Sequence, residues 1–258
     1  MITRPRIIPT LLIDDGDLIK TRQFKRPVYL GDPINAIKIF NEKCVDELCI
    51  MDISASKDKK EPDYELLQKM ASESFMPLSY GGGIQSTEQM RRIFRCGFEK
   101  VIVNSAMWEN KQLISEAAEY FGSQSIVVSI DYRKVFGTKK YRCYSNDGIL
   151  KHKITPLEVA KEAELLGAGE ILLYSIDRDG MGNGYDEEIV KEVIDTVNIP
   201  IIACGGANSL GDIKKVIDNT SIKAVAAGSM FVFYGKRRAV LINYPSEKEL
   251  IDNRIIQL

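Results

Sequence analysis

Two stretches of this chain carry matching residues at a constant separation of 123 positions. Pro33 pairs with Pro156, Lys38 with Lys161, Glu47 with Glu170, Pro77 with Pro200, Gly82-Gly83 with Gly205-Gly206, Ser86 with Ser209, Lys100 with Lys223 and Met107 with Met230. An offset held over that span describes two half-domains on one plan, and it far exceeds the roughly 20–50 residues of stacked solenoid repeats. In each half an apolar run ends in a double glycine, a helix-like segment follows, and a second apolar run ends in small residues. The pattern predicts a closed symmetric sheet with two matched anion sites.

Short β-branched or leucine-rich runs alternate with amphipathic stretches along the whole chain. Strands are predicted at Arg6 to Ile13, Glu47 to Ile53, Pro77 to Tyr80, Lys100 to Asn104, Ser125 to Asp131, Glu170 to Ile176, Pro200 to Cys204 and Ile222 to Ala227. Near-continuous apolar runs, each followed by a helical pattern, fit a parallel sheet covered by helices. Helix starts are signalled by Asp32-Pro33, by Ser86 with Glu88, and by Thr155-Pro156. With 258 residues, close to the ~250 of one (βα)8 barrel, the expected fold is a single α/β barrel over 1–258, with half-barrels of about 1–122 and 123–258.

Lys and Arg number 35 against 36 Asp and Glu, a net charge of -1. No global field therefore attracts nucleic acid or an anionic membrane, and an anionic ligand must be met locally. The five cysteines (Cys44, Cys49, Cys96, Cys143, Cys204) are odd in number and form no C-x-x-C pair. They read as reduced thiols of a cytoplasmic protein. Neither a signal-peptide core nor an apolar run near the ~20 residues of a membrane span is present in the sequence.

Two stretches break the regular spacing, Asp14 to Gly31 and Tyr132 to Lys153, and are expected to be long functional loops at the strand C-terminal ends, where such barrels hold their active sites. The tail from Phe231 reads as irregular until Ser246-Glu247-Lys248-Glu249, a capping box that opens a final helix. Gly82 and Gly83, with Asn104 and Ser105 after the next strand, form one candidate phosphate cradle. Gly205 and Gly206, with Gly228 and Ser229, form the second, and a ligand with a phosphate at each end suits the pair. A lone Gly-Gly is more often a tight turn; the doubling after matched strands favours the phosphate reading.

Taken in order, Arg6-Ile-Ile-Pro9, Gly31-Asp32-Pro33, Asp46-Glu47-Leu48, Asp52-Ile53, Pro77 to Ile84, Asn104-Ser105, Phe121 to Gln124, Leu166 to Leu173, Asp177-Arg-Asp-Gly180, Gly184-Tyr-Asp186 and Gly205-Gly-Ala207 resemble the cyclase subunit of imidazole glycerol phosphate synthase. The resemblance runs to about Phe233 and implies a ribulose-phosphate-binding (βα)8 barrel. It implies a heterodimer with a glutaminase subunit, whose ammonia crosses the barrel core to a bisphosphorylated ribulosyl substrate. No cofactor, metal, nucleic acid or membrane is implied. Gly180 joins the implied phosphate-binding residues, and Lys20 is implied as the substrate-loop lysine.

The family's ammonia gate is one Arg, two Glu and one Lys at the barrel floor, and the matching residues are Arg6, Glu47, Lys100 and Glu170. Charges that begin buried strands are costly unless paired, so an alternating ring satisfies itself, as gate or as stabilising plug. Asp46 and Glu99 beside it read as surface acids on the face where the glutaminase would dock. Of the family's two catalytic aspartates, the fifth-strand one matches Asp131, but the first-strand position is Leu12. One acid–base group typically contributes ~10²–10⁴ in rate, so half of that chemistry lacks its carrier unless Asp14, of the same strand parity, substitutes. Tyr174 stands where the family has a small Thr, and Met181 replaces another Thr.

The runs Arg22 to Tyr29, Gly31 to Ala36, Phe40 to Lys43, Val45 to Leu48 and Arg237 to Pro245 are similar to a paralogous group of glycosyl amidation-associated barrels. These supply ammonia with a glutaminase and a sugar amidotransferase in surface-polysaccharide synthesis. Three readings follow: an ammonia-conducting barrel for amidation, a working cyclase of histidine biosynthesis, and a scaffold that only activates a glutaminase. His152 reads as a polar-loop residue and Trp108 as a packing residue. The runs Lys57 to Lys60 and Lys236 to Arg238 read as solvated, the second near enough to Gly228-Ser229 to assist an anion.

Overall fold

The computed structural model describes residues 4–58, 60–235 and 237–256. In chain order, β1 (Arg6–Asp14) leads into β2 (Asp17–Arg22) and β3 (Lys25–Gly31), then α1 (Pro33–Glu42) and β4 (Leu48–Asp52). Next come α2 (Ile53–Lys57), α3 (Tyr64–Ser72), β5 (Leu78–Gly81), α4 (Thr87–Cys96), β6 (Lys100–Val103), α5 (Ser105–Glu109) and α6 (Gln112–Phe121). The second half holds β7 (Ile126–Lys134), β8 (Tyr141–Ser145), β9 (Leu150–Lys151), α7 (Pro156–Leu165), β10 (Glu170–Ser175), α8 (Glu187–Ile194), β11 (Ile201–Cys204), α9 (Leu210–Thr220) and β12 (Ala224–Ala227). The short α10 (Ser229–Val232), a hairpin of β13 (Phe233–Tyr234) and β14 (Ala239–Val240), and α11 (Glu247–Asp252) follow.

Parallel strands run in the order β10, β11, β12, β1, β4, β5, β6, β7, and β7 pairs back onto β10, which closes the barrel. The strands follow the apolar runs to within a few residues. Equivalent helices of the two halves start on equivalent caps: Asp32 accepts from Ile34 N, and Thr155, in the same place, from Glu158 N. Ser86 accepts from Gln89 N and Ser209 from Asp212 N. Each such cap contributes about 1 kcal/mol.

Because side chains alternate across a strand, the barrel has two cores. Ile8, Cys49, Ile102, Val127, Leu172, Tyr174, Ile202, Cys204, Ala224 and Ala226 fill the lumen. The alternate residues, such as Ile7, Leu11, Ile50, Val128, Leu173 and Val225, pack with Phe40, Met90, Ile114, Val190 and Val216 of the helices. All five cysteines are free thiols, three of them buried. Among the described residues no helix is long and apolar enough to cross a membrane.

The two expected loops are instead hairpins that continue barrel strands. β2 buries Leu18 to Thr21 and pairs antiparallel with β1, Leu12 facing Ile19 and Ile13 facing Leu18. β7 continues three residues past Asp131 and pairs with β8. Antiparallel pairing satisfies backbone groups that a free loop would leave to water. The tail from Phe231 likewise carries a small hairpin, while the capping box of Ser246 and Glu249 opens α11 as expected.

Candidate functional site

At the barrel floor the four charged residues form one closed ring. Arg6 Nη1 donates to Glu47 Oε2 at 2.7 Å and Arg6 Nη2 to Glu170 Oε1, while Lys100 Nζ reaches Glu47 Oε2 at 3.0 Å and Glu170 Oε2 at 2.9 Å. Both glutamates are buried, with side chains 6% and 5% exposed, so the cations supply what water cannot. Burial acts to lower the Arg6 pKa, but Glu170 and Glu47 outweigh it and hold the guanidinium above its ordinary value. Asp46 and Glu99 are not idle surface acids. Asp46 accepts from Ile7 N at 3.1 Å and Glu99 from Leu78 N at 2.7 Å, so each caps the start of a barrel strand.

Directly above the ring lies an enclosed cavity lined by Glu47, Ile8, Cys49, Ser79, Ile102 and Leu172 among others, with about 10 Å³ open to the centre of a water-sized molecule. That is room for about one such molecule.

At the rim, Asp131 and Tyr174 are register neighbours on β7 and β10 and both point inward. Asp131 is buried and accepts from Ser129 Oγ at 2.9 Å. Burial pushes its carboxyl up to about 7; the Ser129 bond opposes this, and Asp147 and Asp179 add to it. A carboxyl balanced near neutrality can both take and give a proton. It stands between two cavities. One of about 240 Å³ is lined by Gly82, Gly83, Asn104, Ser105 and Asp147, and one of about 650 Å³ by Leu12, Asp14, Phe24, Arg133 and Tyr174. The structure thus brings Leu12, Asp14 and Asp131 to one space.

One residue to which sequence reasoning gave no role of its own, Asp179, holds this rim together. The buried Asp179 accepts from Lys20 Nζ at 3.1 Å, Tyr174 Oη at 3.0 Å, Thr21 Oγ1 at 2.7 Å and Phe24 N at 3.3 Å. It fastens the β2–β3 hairpin over the lumen, and Phe24 meets the Tyr174 ring edge-on with centroids 4.9 Å apart. Lys20 therefore lies on a buried strand, not a free loop. His152 is no plain loop residue either: its ring stacks on Trp108 at 3.6 Å, and Nε2 lies 2.8 Å from Ser145 Oγ.

The glycine elements occupy matched places, but close packing bears on all four glycines: a Cβ on Gly83 would meet the Lys60 carbonyl oxygen at 2.5 Å and one on Gly205 the Ser175 carbonyl oxygen at 2.7 Å. A Cβ on Gly82 would overlap the Asp52 carbonyl oxygen, and one on Gly206 the Gly184 carbonyl. In the first candidate cradle, Asn104 Nδ2 is committed to Ser129 O at 3.0 Å, and Ser105 Oγ accepts from Asn146 N at 3.1 Å. In the second, Ser229 Oγ is buried without a partner, and the Lys20 side chain lies across Gly228. Gly180 sits beneath the hairpin, against the Thr21 carbonyl. Of the charge runs, Lys59 and Lys236 lie outside the described residues.

A closed, two-fold-repeated (βα)8 barrel with an ion ring at its floor and a buried carboxyl at its rim defines the class. The family model described as "Histidine biosynthesis protein" matches residues 6–237, and the chain belongs to that family. It is 50% identical over 249 residues to the Pseudomonas aeruginosa protein named "Putative imidazole glycerol phosphate synthase subunit hisF2", covering 96% of this chain and 99% of that one. The Leptospira interrogans protein named "Putative imidazole glycerol phosphate synthase subunit HisF" is 50% identical over 246 residues, with 95% and 97% covered. The Lactococcus lactis (strain IL1403) "Imidazole glycerol phosphate synthase subunit HisF" is 41% identical over 257 residues, with 100% and 98% covered.

Proposed function

We propose that this chain is the synthase-side barrel of a two-component glutamine amidotransferase, which takes ammonia from a separate glutaminase subunit at its floor and passes it through the lumen. The observation that carries the reading is the closed ring of Arg6, Glu47, Lys100 and Glu170 beneath a cavity of single-molecule size. The acceptor is a sugar of a surface polysaccharide, served through a sugar amidotransferase; this part rests on the resemblance of the runs Gly31 to Ala36 and Arg237 to Pro245. Cyclase chemistry is reduced, because Leu12 presents an apolar side chain to the cavity that Asp131 enters.

In the complex with its glutaminase, Glu47→Ala or Lys100→Ala is expected to uncouple glutamine hydrolysis from ammonia delivery. Unchanged delivery in both variants would leave the ring a purely structural plug.

A working cyclase of histidine biosynthesis is the second reading, favoured by Asp14 sharing the cavity of Asp131. Given ammonia and the bisphosphorylated ribulosyl substrate, the wild-type chain is expected to turn over at least ~10²-fold slower than a competent cyclase. Leu12→Asp is expected to recover part of that rate, with Tyr174 still in the cleft. A full wild-type rate that collapses in Asp14→Asn would establish the second reading.

A further inference from the structure

Beside the second glycine cradle, between the β2–β3 hairpin and the β13–β14 hairpin, lies a cleft of about 330 Å³. Its lining is Lys20, Thr21, Arg22, Arg26, Val28, Phe233 and Arg238. Four of those seven residues are cations and none is an acid. Lys20 is already neutralised by Asp179 at 3.1 Å. Among the described residues, no carboxylate lies within ion-pair distance of Arg22, Arg26 or Arg238, although the chain's acids and bases are nearly equal in number.

The Arg238 guanidinium is also held in place. Arg238 lies over the Phe233 ring at 4.3 Å, which fixes the plane of its fork. Arg26 and Arg238 adopt left-handed backbone conformations, φ 55° and 51°, as do Gln23 and Phe24 at the hairpin turn. Bulky residues avoid that region unless the surroundings impose it, and such positions concentrate at ligand clamps. Like charges gathered without acids repel, and burial together with the nearby Arg22 holds the Arg238 pKa below its ordinary value.

The Lys20 side chain crosses the neighbouring cradle. A Cβ on Gly228 would lie 2.9 Å from both Cε and Nζ of Lys20, so the lysine stem fills the space over the glycine. What remains beyond it is the arginine cleft. We infer that Arg22, Arg26 and Arg238 form a phosphoryl-binding subsite outside the barrel mouth, which takes the phosphate or diphosphate end of a ligand whose remainder reaches into the rim. Guanidinium forks match phosphoryl oxygens in pairs, which lysines or a bare glycine turn do not. The subsite stands independently of the Gly82-Gly83 cradle.

The probe is inorganic pyrophosphate, titrated calorimetrically at constant ionic strength into the full chain carrying Ser105→Asp, which places a negative charge in the first cradle. Saturable binding is expected to persist in that background and to weaken at least tenfold on adding Arg22→Gln and Arg238→Gln, with thermal melting unchanged. Loss of all binding in Ser105→Asp alone, in a variant that melts normally, would assign the anion to the first cradle and overturn the inference. Equal affinity with and without the two arginines would also overturn it. If Ser105→Asp fails to fold, pyrophosphate titrated into the wild type and into Arg22→Gln/Arg238→Gln decides the matter by the loss or retention of one binding site.

Discussion

Replacing Asp131 with asparagine should make this protein more stable, and the gain should depend on pH in a defined direction. The carboxyl is buried, and its pKa rises from 3.8 to about 7 in the fold. At about 1.36 kcal/mol per unit, that shift amounts to about 4 kcal/mol. The native state binds this proton more tightly than the unfolded chain, so stability falls as pH rises between the two values. The loss begins near pH 4 and is complete just above pH 7. Asparagine is isosteric, carries no charge and can still accept from Ser129 Oγ, so it escapes the penalty. Urea unfolding of wild type and Asp131→Asn from pH 4 to 8.5 should give a difference that starts near zero and grows to about 4 kcal/mol, or roughly 10 °C in Tm. Other titrating groups cancel in the difference. A flat difference across that range would refute the claim that burial sets the Asp131 proton affinity.

Three further outcomes are expected. Glu47→Ala leaves Arg6 and Lys100 with one carboxylate between them and should cost about 3 kcal/mol in urea unfolding, with Glu47→Gln recovering part. Gly82→Ala forces a Cβ onto the Asp52 carbonyl and should cost well over the ~1 kcal/mol expected for Gly137→Ala, a left-handed turn glycine with open space around it; thermal melting of the pair checks this. His152 is held below its ordinary pKa by burial, so its stacked ring stays neutral at pH 7. Fluorescence of Trp108, the single tryptophan, should be quenched by imidazolium only as pH falls below 6.5, and His152→Gln should abolish that transition.

The strands were legible because each apolar run is bounded by charge or glycine, and the 123-residue offset carried the two-fold plan with its paired caps. The members of the ion ring were legible through the family resemblance, and their placement agrees with the strand boundaries: Arg6, Lys100 and Glu170 stand at the first position of their strands, and Glu47 immediately before β4. The hairpins were not, yet their signal was present. Asp15-Gly16, both at positive φ between the paired Asp14 and Asp17, is the dipeptide that a two-residue hairpin turn demands, and Asp147-Gly148, also at positive φ, lies in the four-residue turn from Ser145 to Leu150. The Asp179 hub was out of reach, since its donors Lys20 and Thr21 come from the other end of the chain and only barrel closure brings them within 3.1 Å. Stacking of His152 on Trp108 is hidden for the same reason.

The separation of the molecule into a lumen core and a helix-facing core has a consequence for how such a barrel can change over time. Leu12 and Tyr174 point inward, while their chain neighbours Leu11, Ile13 and Leu173 anchor the outer layer. Since the two faces alternate residue by residue, a substitution at the chemical centre leaves the helices seated as before. A side chain that faces the lumen can therefore change in size or polarity without renegotiating the architecture around it, so the chemistry of such a barrel can drift while its fold stands still.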